Sequence, residues 1–209
     1  NIVNRSENMS WYEGSTLLHI LENIHIASDH NHIDCRFPVQ NVIRPQKEDF
    51  HDYRGYGGRI AGGIFKKGDE VVVLPSGFNS RIKSIDTFNG EIEKAFAPMS
   101  VTLTLEDEID ISRGDMIVRP NNQPKAEQDI DIMVCWMSEK PLIPKGKYAI
   151  KHTSREARCM IKEIKYKVNI NTLHRIENDK VINCNDIARI SLRTSLPLFY
   201  DEYSSNKNT

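Results

Sequence analysis

Two imidazoles sit two residues apart at His30 and His32, with Asp29 and Asp34 beside them. Nitrogen and carboxylate donors so close together are what a divalent transition metal takes. The surrounding Ser28-Asp29-His30-Asn31-His32 stretch is polar and turn-forming, however, so the expectation is a solvated loop rather than a metal site. His19, His25, His51, His152 and His174 have no acid–base constellation near them in sequence and read as surface or packing residues. Cys35, Cys135, Cys159 and Cys184 are scattered with no C-x-x-C pair, which suits four reduced thiols in a cytoplasmic protein better than a disulfide framework or a zinc site. Arg113-Gly114-Asp115 spells the integrin-binding tripeptide, but Gly followed by Asp is also what a strand-to-strand turn selects, and a turn is expected. Tyr53-Arg54-Gly55-Tyr56-Gly57-Gly58-Arg59 mixes aromatic, basic and flexible residues as single-strand nucleic-acid segments do. Here it is read as the glycine-rich first hairpin of a barrel. Trp11 and Trp136 are expected to anchor cores.

Absences complete the chemistry. No G-x-x-x-x-G-K-[ST] phosphate loop, no G-x-G-x-x-G and no G-x-S-x-G elbow occurs. The expectation is therefore no catalytic residue, no GTP-binding residue and no metal ligand within this chain. With 28 basic and 29 acidic residues the net charge is −1, which gives no concentrated footprint for nucleic acid, and none is expected as a partner. No run of about 18 apolar residues exists, so no membrane span and no secretory leader are read.

The elements that would hold these residues change character along the chain. Ser15 or Thr16 can cap a helix carrying Leu17, Ile20, Leu21 and Ile24 on one stripe. So short a helix is marginal alone, and the residues before it offer no partner. From Cys35 onward the pattern is short strands between turns. Val71–Leu74 is a continuous apolar run, Val101, Leu103 and Leu105 alternate with Thr102 and Thr104, and Met116–Val118 follows a turn. Glycines at 55, 57, 58, 62, 63 and 68 suggest the bulges and corners of a small barrel. Pro120-Asn121-Asn122-Gln123-Pro124 reads as a linker. Beyond it Ile130, Ile132, Val134 and Trp136 share a face, as do Ala188, Ile190 and Leu192. Ile164, Tyr166, Val168 and Ile170 form the most regular inward row of all. The fold class is all-β: two consecutive small β-barrels after a short helix. The divisions are 1–34 for helix and linker, 35–120 for the first barrel, 121–125 for a linker and 126–209 for the second barrel.

The stretch Gly58-Arg59-Ile60-Ala61-Gly62-Gly63-Ile64-Phe65-Lys66-Lys67-Gly68-Asp69-Glu70-Val71 resembles the second-domain barrel of translational GTPases. Asn4–Leu18, with its Met9, Trp11, Gly14 and Thr16-Leu17-Leu18, is similar to the end of a G domain in that superfamily. Arg36-Phe37-Pro38-Val39-Gln40, Asp52-Tyr53-Arg54-Gly55-Tyr56, Val73-Leu74-Pro75-Ser76-Gly77 and Asp107–Asp115 point within it to one family. So do Trp136-Met137-Ser138-Glu139-Lys140-Pro141-Leu142 and Tyr166–Asn171. By these motifs, spread in order over nearly the whole chain, it resembles the GTP-hydrolysing large subunits of bacterial sulfate adenylyltransferase.

The resemblance implies elongation-factor-like domains 2 and 3, with residues 1–34 as the tail of an α/β G domain lying before residue 1. It implies a cytoplasmic enzyme in which GTP hydrolysis drives ATP plus sulfate to adenosine 5′-phosphosulfate and pyrophosphate. GTP and Mg belong to the G domain, and the partners would be that domain and a smaller catalytic subunit. These barrels would be a structural, partner-binding module without catalytic residues of their own. The family's second barrel ends on an apolar strand, so a further strand is expected after Thr209. The alternative reading is the barrel pair of an elongation factor that grips aminoacyl-tRNA.

Overall fold

The computed structural model describes residues 1–24, 30–45 and 53–209. His25, Ser28 and Asp29 of the first loop, and His51 and Asp52, lie outside the described residues.

A 3-10 turn at Glu7–Met9 precedes helix α1 (Leu17–Asn23). Of the two candidate caps Thr16 serves, its hydroxyl accepting from the His19 amide. The remainder is strand and turn. The first group comprises β1 (Arg36–Ile43), β2 (Gly55–Arg59), β3 (Ile64–Lys66), β4 (Glu70–Leu74) and β5 (Phe78–Thr87). It continues with β6 (Gly90–Glu91), β7 (Lys94–Phe96), β8 (Ser100–Leu105) and β9 (Met116–Val118). The second group is β10 (Lys125–Cys135), β11 (Lys147–His152), β12 (Arg155–Val168), β13 (Arg175–Ile176) and β14 (Ile187–Tyr200).

In the first group β4, β9, β1, β2, β8 and β5 pair in that order, and β5 returns to pair β4. β6 extends β5, while β3 and β7 form a separate two-stranded ladder. The glycines of β2 make this tight circuit possible. A Cβ on Gly58 would stand 2.5 Å from the Pro38 carbonyl oxygen, a backbone atom that cannot step aside. The register of β1 against β2 shifts between Val39 and Asn41, opposite Gly57 and Gly58, as a bulge does. Phe37, Tyr56, Phe65, Ile82, Leu103 and Ile117, all at most 1% exposed, fill the interior. Thr104, which alternation places outside, is instead buried and shares a 2.7 Å hydrogen bond with the Ser84 hydroxyl.

The second group runs β10-β14-β12-β11 with β13 on β12, all antiparallel. Ala188, Ile190 and Leu192 point inward as expected and meet Ile161, Ile164, Leu142 and Ile182. Ile132, Val134 and Trp136 pack against this cluster from its rim. The row Ile164-Tyr166-Val168-Ile170 does not hold. Ala157, Cys159 and Ile161 face in, and the inward phase then continues at Ile164 and Lys167. Register shifts between Ile161 and Glu163, and between Ile164 and Tyr166, are the cause. Each inserts an unpaired residue and exchanges the faces beyond it. Ile170 lies past the strand and is 65% exposed. Lys167 goes inside because Asp179 and Asp186 accept from it at 2.8 and 2.6 Å.

Candidate functional site

The residues that hold the two strand groups against each other converge on Arg36. As the first residue of β1 it is fastened by its backbone, accepting from Ala61 and donating to Gly62. That leaves a rigid base from which the side chain projects toward the second group. Its Nε and Nη2 donate to Asp201 at 2.9 and 2.8 Å, a bidentate fork. Its Nη1 donates to the Cys35 carbonyl, the Asn122 carbonyl and Asn122 Oδ1 at 2.9, 2.7 and 3.0 Å. Arg36 is 2% exposed and the Asp201 side chain 12%. A guanidinium so enclosed is tolerable only because its donors are satisfied.

Around this pair lies a shell of further polar contacts. Asn122 Nδ2 donates to Asp34 at 2.7 Å and Asn31 Nδ2 to the same carboxylate at 2.6 Å. Burial pushes the Asp34 carboxyl up, but the two amides and the Arg36 charge outweigh it and hold the group below its ordinary value. The Thr209 hydroxyl donates to Asp201 at 2.8 Å. The expected linker is therefore a folded polar knot, with Asn122 at its centre.

A second arginine spans the joint less completely, its buried Nε having no hydrogen-bond partner among the described residues. Arg155 opens β12, donates to the Gly114 carbonyl at 3.2 Å, stands 3.6 Å from Asp115 and lies over the Phe199 ring at 5.1 Å. Burial raises the Asp115 carboxyl, against the Ser112 amide and Arg155, which lower it. Between the arginines runs an apolar strip of Val72, Leu74, Met116, Val118 and Phe199. Lys125 and Glu202, 2.7 Å apart and well exposed, close the rim.

The candidates singled out in sequence are distributed as follows. The His30 and His32 rings are 6.4 Å apart, and His32 meets Phe96 edge-on at 6.5 Å. Asp34 is engaged in the Arg36 knot, and no three His, Cys, Asp or Glu side chains converge on a metal position among the described residues. Arg113-Gly114-Asp115 is the expected turn, Gly114 at φ 96°, and its carbonyl and carboxylate receive Arg155. In the glycine-rich segment, Tyr56 is 1% exposed and donates to the Ile109 carbonyl at 2.8 Å. Tyr53 donates to Asp86 at 2.9 Å, and burial with that carboxylate pushes its phenol up to about 12. These two phenols serve the strands through hydrogen bonds.

Trp136 packs edge-on to Tyr148 at 5.4 Å and donates to the Lys140 carbonyl, an anchor as expected. Trp11 is not one: it is 74% exposed. The physical reason is that, among the described residues, no apolar core cluster includes any of residues 1–24. Leu17, Ile20, Leu21 and Ile24 of the helical stripe are 40–61% exposed, and no residue of α1 is buried. The expected apolar stripe is present, and within this chain it lies open.

Sequence reasoning missed Arg36, Arg155, Asn122 and Asp201 as the joint. The only signal was an arginine at the first position of β1 and of β12. Contacts across 165 residues, as for Arg36 and Asp201, leave no local pattern.

Comparison with known proteins agrees with this architecture. A family model described as GTP-eEF1A C-terminal domain-like matches residues 129–209. The bifunctional enzyme CysN/CysC of Mycobacterium tuberculosis is 47% identical over 100% of this chain, which covers 34% of that protein. Sulfate adenylyltransferase subunit 1 of Bacteroides fragilis is 48% identical over 100% of the chain and 43% of its own length. The chain thus spans less than half the length of the curated relatives it matches. Among solved structures, Sup35 complexed with GDP superposes with a TM-score of 0.75 at 16% identity, covering 99% of this chain and 50% of that one. Elongation factor SelB of Methanococcus maripaludis superposes with a TM-score of 0.65 at 21% identity, over 88% and 39%. The structural likeness establishes the strand architecture of translation GTPases, and the sequence identity is more specific: from end to end, this chain is a homologue of the sulfate adenylyltransferase subunit 1 and CysN/CysC proteins.

Proposed function

We propose that this chain is the β-strand portion of a GTP-hydrolysing sulfate adenylyltransferase large subunit. Residues 1–34 would be the tail of its G domain and linker, 35–120 and 126–209 the two barrels, and 121–125 the connection between them. In the complete protein, GTP hydrolysis would drive the condensation of ATP and sulfate to adenosine 5′-phosphosulfate and pyrophosphate. That reaction is carried out on a smaller catalytic subunit in the cytoplasm. The observation that carries the reading is identity of 47% and 48% along the whole chain with a bifunctional enzyme CysN/CysC and a sulfate adenylyltransferase subunit 1.

The part assigned to this chain is mechanical. GTP and Mg would be held by the G domain, and no catalytic, GTP-binding or metal-binding residue is assigned here. The chain's own contribution is a rigid body: the Arg36–Asp201 and Arg155–Asp115 contacts resist relative rotation of the two strand groups. A rigid body can pass a displacement of the G domain to the catalytic subunit without dissipating it, which is what coupling between two sites requires. The open stripe of Leu17, Leu21 and Ile24 suits the G domain as its cover. The elongation-factor alternative rests on structures at most 21% identical, which speak to fold alone.

The deciding experiment uses the complete large subunit with its catalytic partner. Arg36→Met should leave GTP hydrolysis measurable while lowering the yield of adenosine 5′-phosphosulfate per GTP consumed. An unchanged product-to-GTP ratio in a stably folded variant would reject the mechanical role. Failure of the wild-type pair to make adenosine 5′-phosphosulfate in response to GTP would reject the enzymatic assignment.

A further inference from the structure

On the outer face of the second strand group, cations are matched by acids. Lys151 stands 4.0 Å from Glu156, Lys162 3.2 Å from Asp129 and Arg189 3.7 Å from Asp131. Along β12, between Glu156 and Lys162, the matching fails. There β11, β12 and β14 form a groove of about 560 Å³ whose lining includes Lys147, Arg158 and Arg193 and no carboxylate. Lys147 and Arg193 are the partners of Met160 across its two ladders, one on either side. Arg158 lies two residues before Met160, on the same face, and so is diagonal to both. Met160, 39% exposed, and Ala149 give the groove an apolar base between the three cations.

Long side chains at diagonal cross-strand positions are within reach of one another, and like charges placed so repel. Arg193 is balanced in part, sharing Asp129 with Lys162 at 3.3 and 3.2 Å. Lys147 and Arg158 have no ion pair among the described residues. Arg158 is fastened by its backbone amide, which donates to the Ser195 hydroxyl at 3.2 Å, so its guanidinium has no structural duty. Charge that costs stability with no return in packing, on a face that balances its other cations, marks a place kept for a ligand of opposite sign.

We propose that this groove binds a compact polyanion with two linked phosphoryl groups, either inorganic pyrophosphate or the phosphate tail of a nucleotide. Adjacent strands about 4.8 Å apart set the Lys147 and Arg193 Cα atoms about 10 Å from each other, a span that two linked groups use better than one. Arg158 and Arg193 offer guanidinium forks to phosphoryl oxygens, and Lys147 offers a point charge. A nucleic-acid backbone fits less well. The basic track ends at Glu156 in one direction and at Lys162, already paired with Asp129, in the other, and the net charge of the chain is −1. The proposal does not depend on the enzymatic reading given above.

Calorimetric titration of the 209-residue chain with pyrophosphate at low ionic strength tests this, with orthophosphate, ADP and a short single-stranded RNA as further arms. One pyrophosphate per chain should bind, about tenfold tighter than orthophosphate. ADP binding as tightly as pyrophosphate assigns the groove to a nucleotide tail, and weaker ADP binding assigns it to the free ion. Arg158→Gln and Lys147→Gln should each weaken pyrophosphate about five- to tenfold. Lys83→Gln, which removes an exposed cation from the first strand group, should leave affinity within about twofold. Without ligand, Arg158→Gln should melt no lower than wild type, because it sheds repulsion rather than a partner. Pyrophosphate should raise the wild-type midpoint and leave that of Arg158→Gln nearly unmoved. Absence of saturable pyrophosphate binding, or equal affinity for orthophosphate, would overturn the proposal. So would equal weakening in Lys83→Gln, tighter binding of the RNA, or a markedly lower ligand-free midpoint in Arg158→Gln, which would give that arginine a structural role.

Discussion

Arg36 shows how much one side chain can be asked to hold. Its removal would strand the Asp201 carboxylate, which is 12% exposed, and leave Asn122 and Cys35 carbonyls without a donor. Breaking a buried, fully bonded pair from one side costs about 3–5 kcal/mol. Arg36→Met should therefore lower the unfolding free energy by that order in urea titration. Arg36→Lys should recover little of it, because an ammonium cannot make the fork. A loss below about 1 kcal/mol would mean that water replaces the guanidinium at little cost.

His152, at the end of β11, makes stability depend on pH. Burial pushes its imidazole below the ordinary value of 6.5, against the pull of the Asp201 carboxylate. The fold thus favours the neutral ring, and the unfolded chain takes up a proton first. Stability is complete above the unfolded pKa and declines as pH falls through the lower, folded one. Urea midpoints should drop between pH 7.5 and pH 5, and His152→Gln should show a smaller drop. Parallel pH profiles for the two proteins would remove His152 as the cause.

Elements tell which local rules survived. In β2 the neighbouring glycines differ sharply. A Cβ at Gly58 would be 2.5 Å from the Pro38 carbonyl oxygen, whereas at Gly57 the nearest atom is 3.6 Å away, an ordinary contact. Gly58→Ala should therefore cost about 1–3 kcal/mol by forcing β1 and β2 apart, and Gly57→Ala less than about 1 kcal/mol. Equal thermal shifts in the two variants would contradict the close approach. Helix α1 makes the opposite point. Leu21 is 61% and Ile24 59% exposed, so Leu21→Gln with Ile24→Gln should change the stability of this chain by less than about 0.5 kcal/mol. A substantially larger loss in a thermal melt would reveal a packing partner within the chain.

Strand identity followed from short-range pattern in β4, a continuous apolar run, and in the Ala188-Ile190-Leu192 stretch of β14, which alternates along an unbroken register with β10. It misled in β12, where two register shifts bring Lys167 inside and leave Tyr166 against Arg175, 4.6 Å from ring centroid to guanidinium carbon. Alternation carries no mark of a bulge, because the extra residue can be of any type. Pairing across strands decides where it falls.

At the scale of the molecule, two apolar cores lie side by side. One runs from Cys35 to Ile117 and the other from Ile130 to Leu198, joined by a strip to which β14 contributes Phe199. Phe199 is 3% exposed and carries the Arg155 guanidinium on its face. Phe199→Ala should cost about 3–5 kcal/mol by opening that strip. Because the loss falls on the joint, calorimetry should give one transition for the parent chain and two for the variant. A single transition, merely lowered, would mean that the polar contacts at Arg36 and Arg155 suffice to keep the groups cooperative.

The amino-acid sequence by itself determined the all-β class, most strand positions, the orphaned apolar stripe of α1 and, through its ordered motifs, the family resemblance. Each depends on residues close together in the chain, where alternation, capping and turn chemistry act. The joint between the strand groups was decided only by tertiary structure. Arg36 meets Asp201, and Arg155 meets Gly114, only after both strand groups have formed and excluded water. Charge pairs that acquire their strength from burial cannot be read before the burial itself exists.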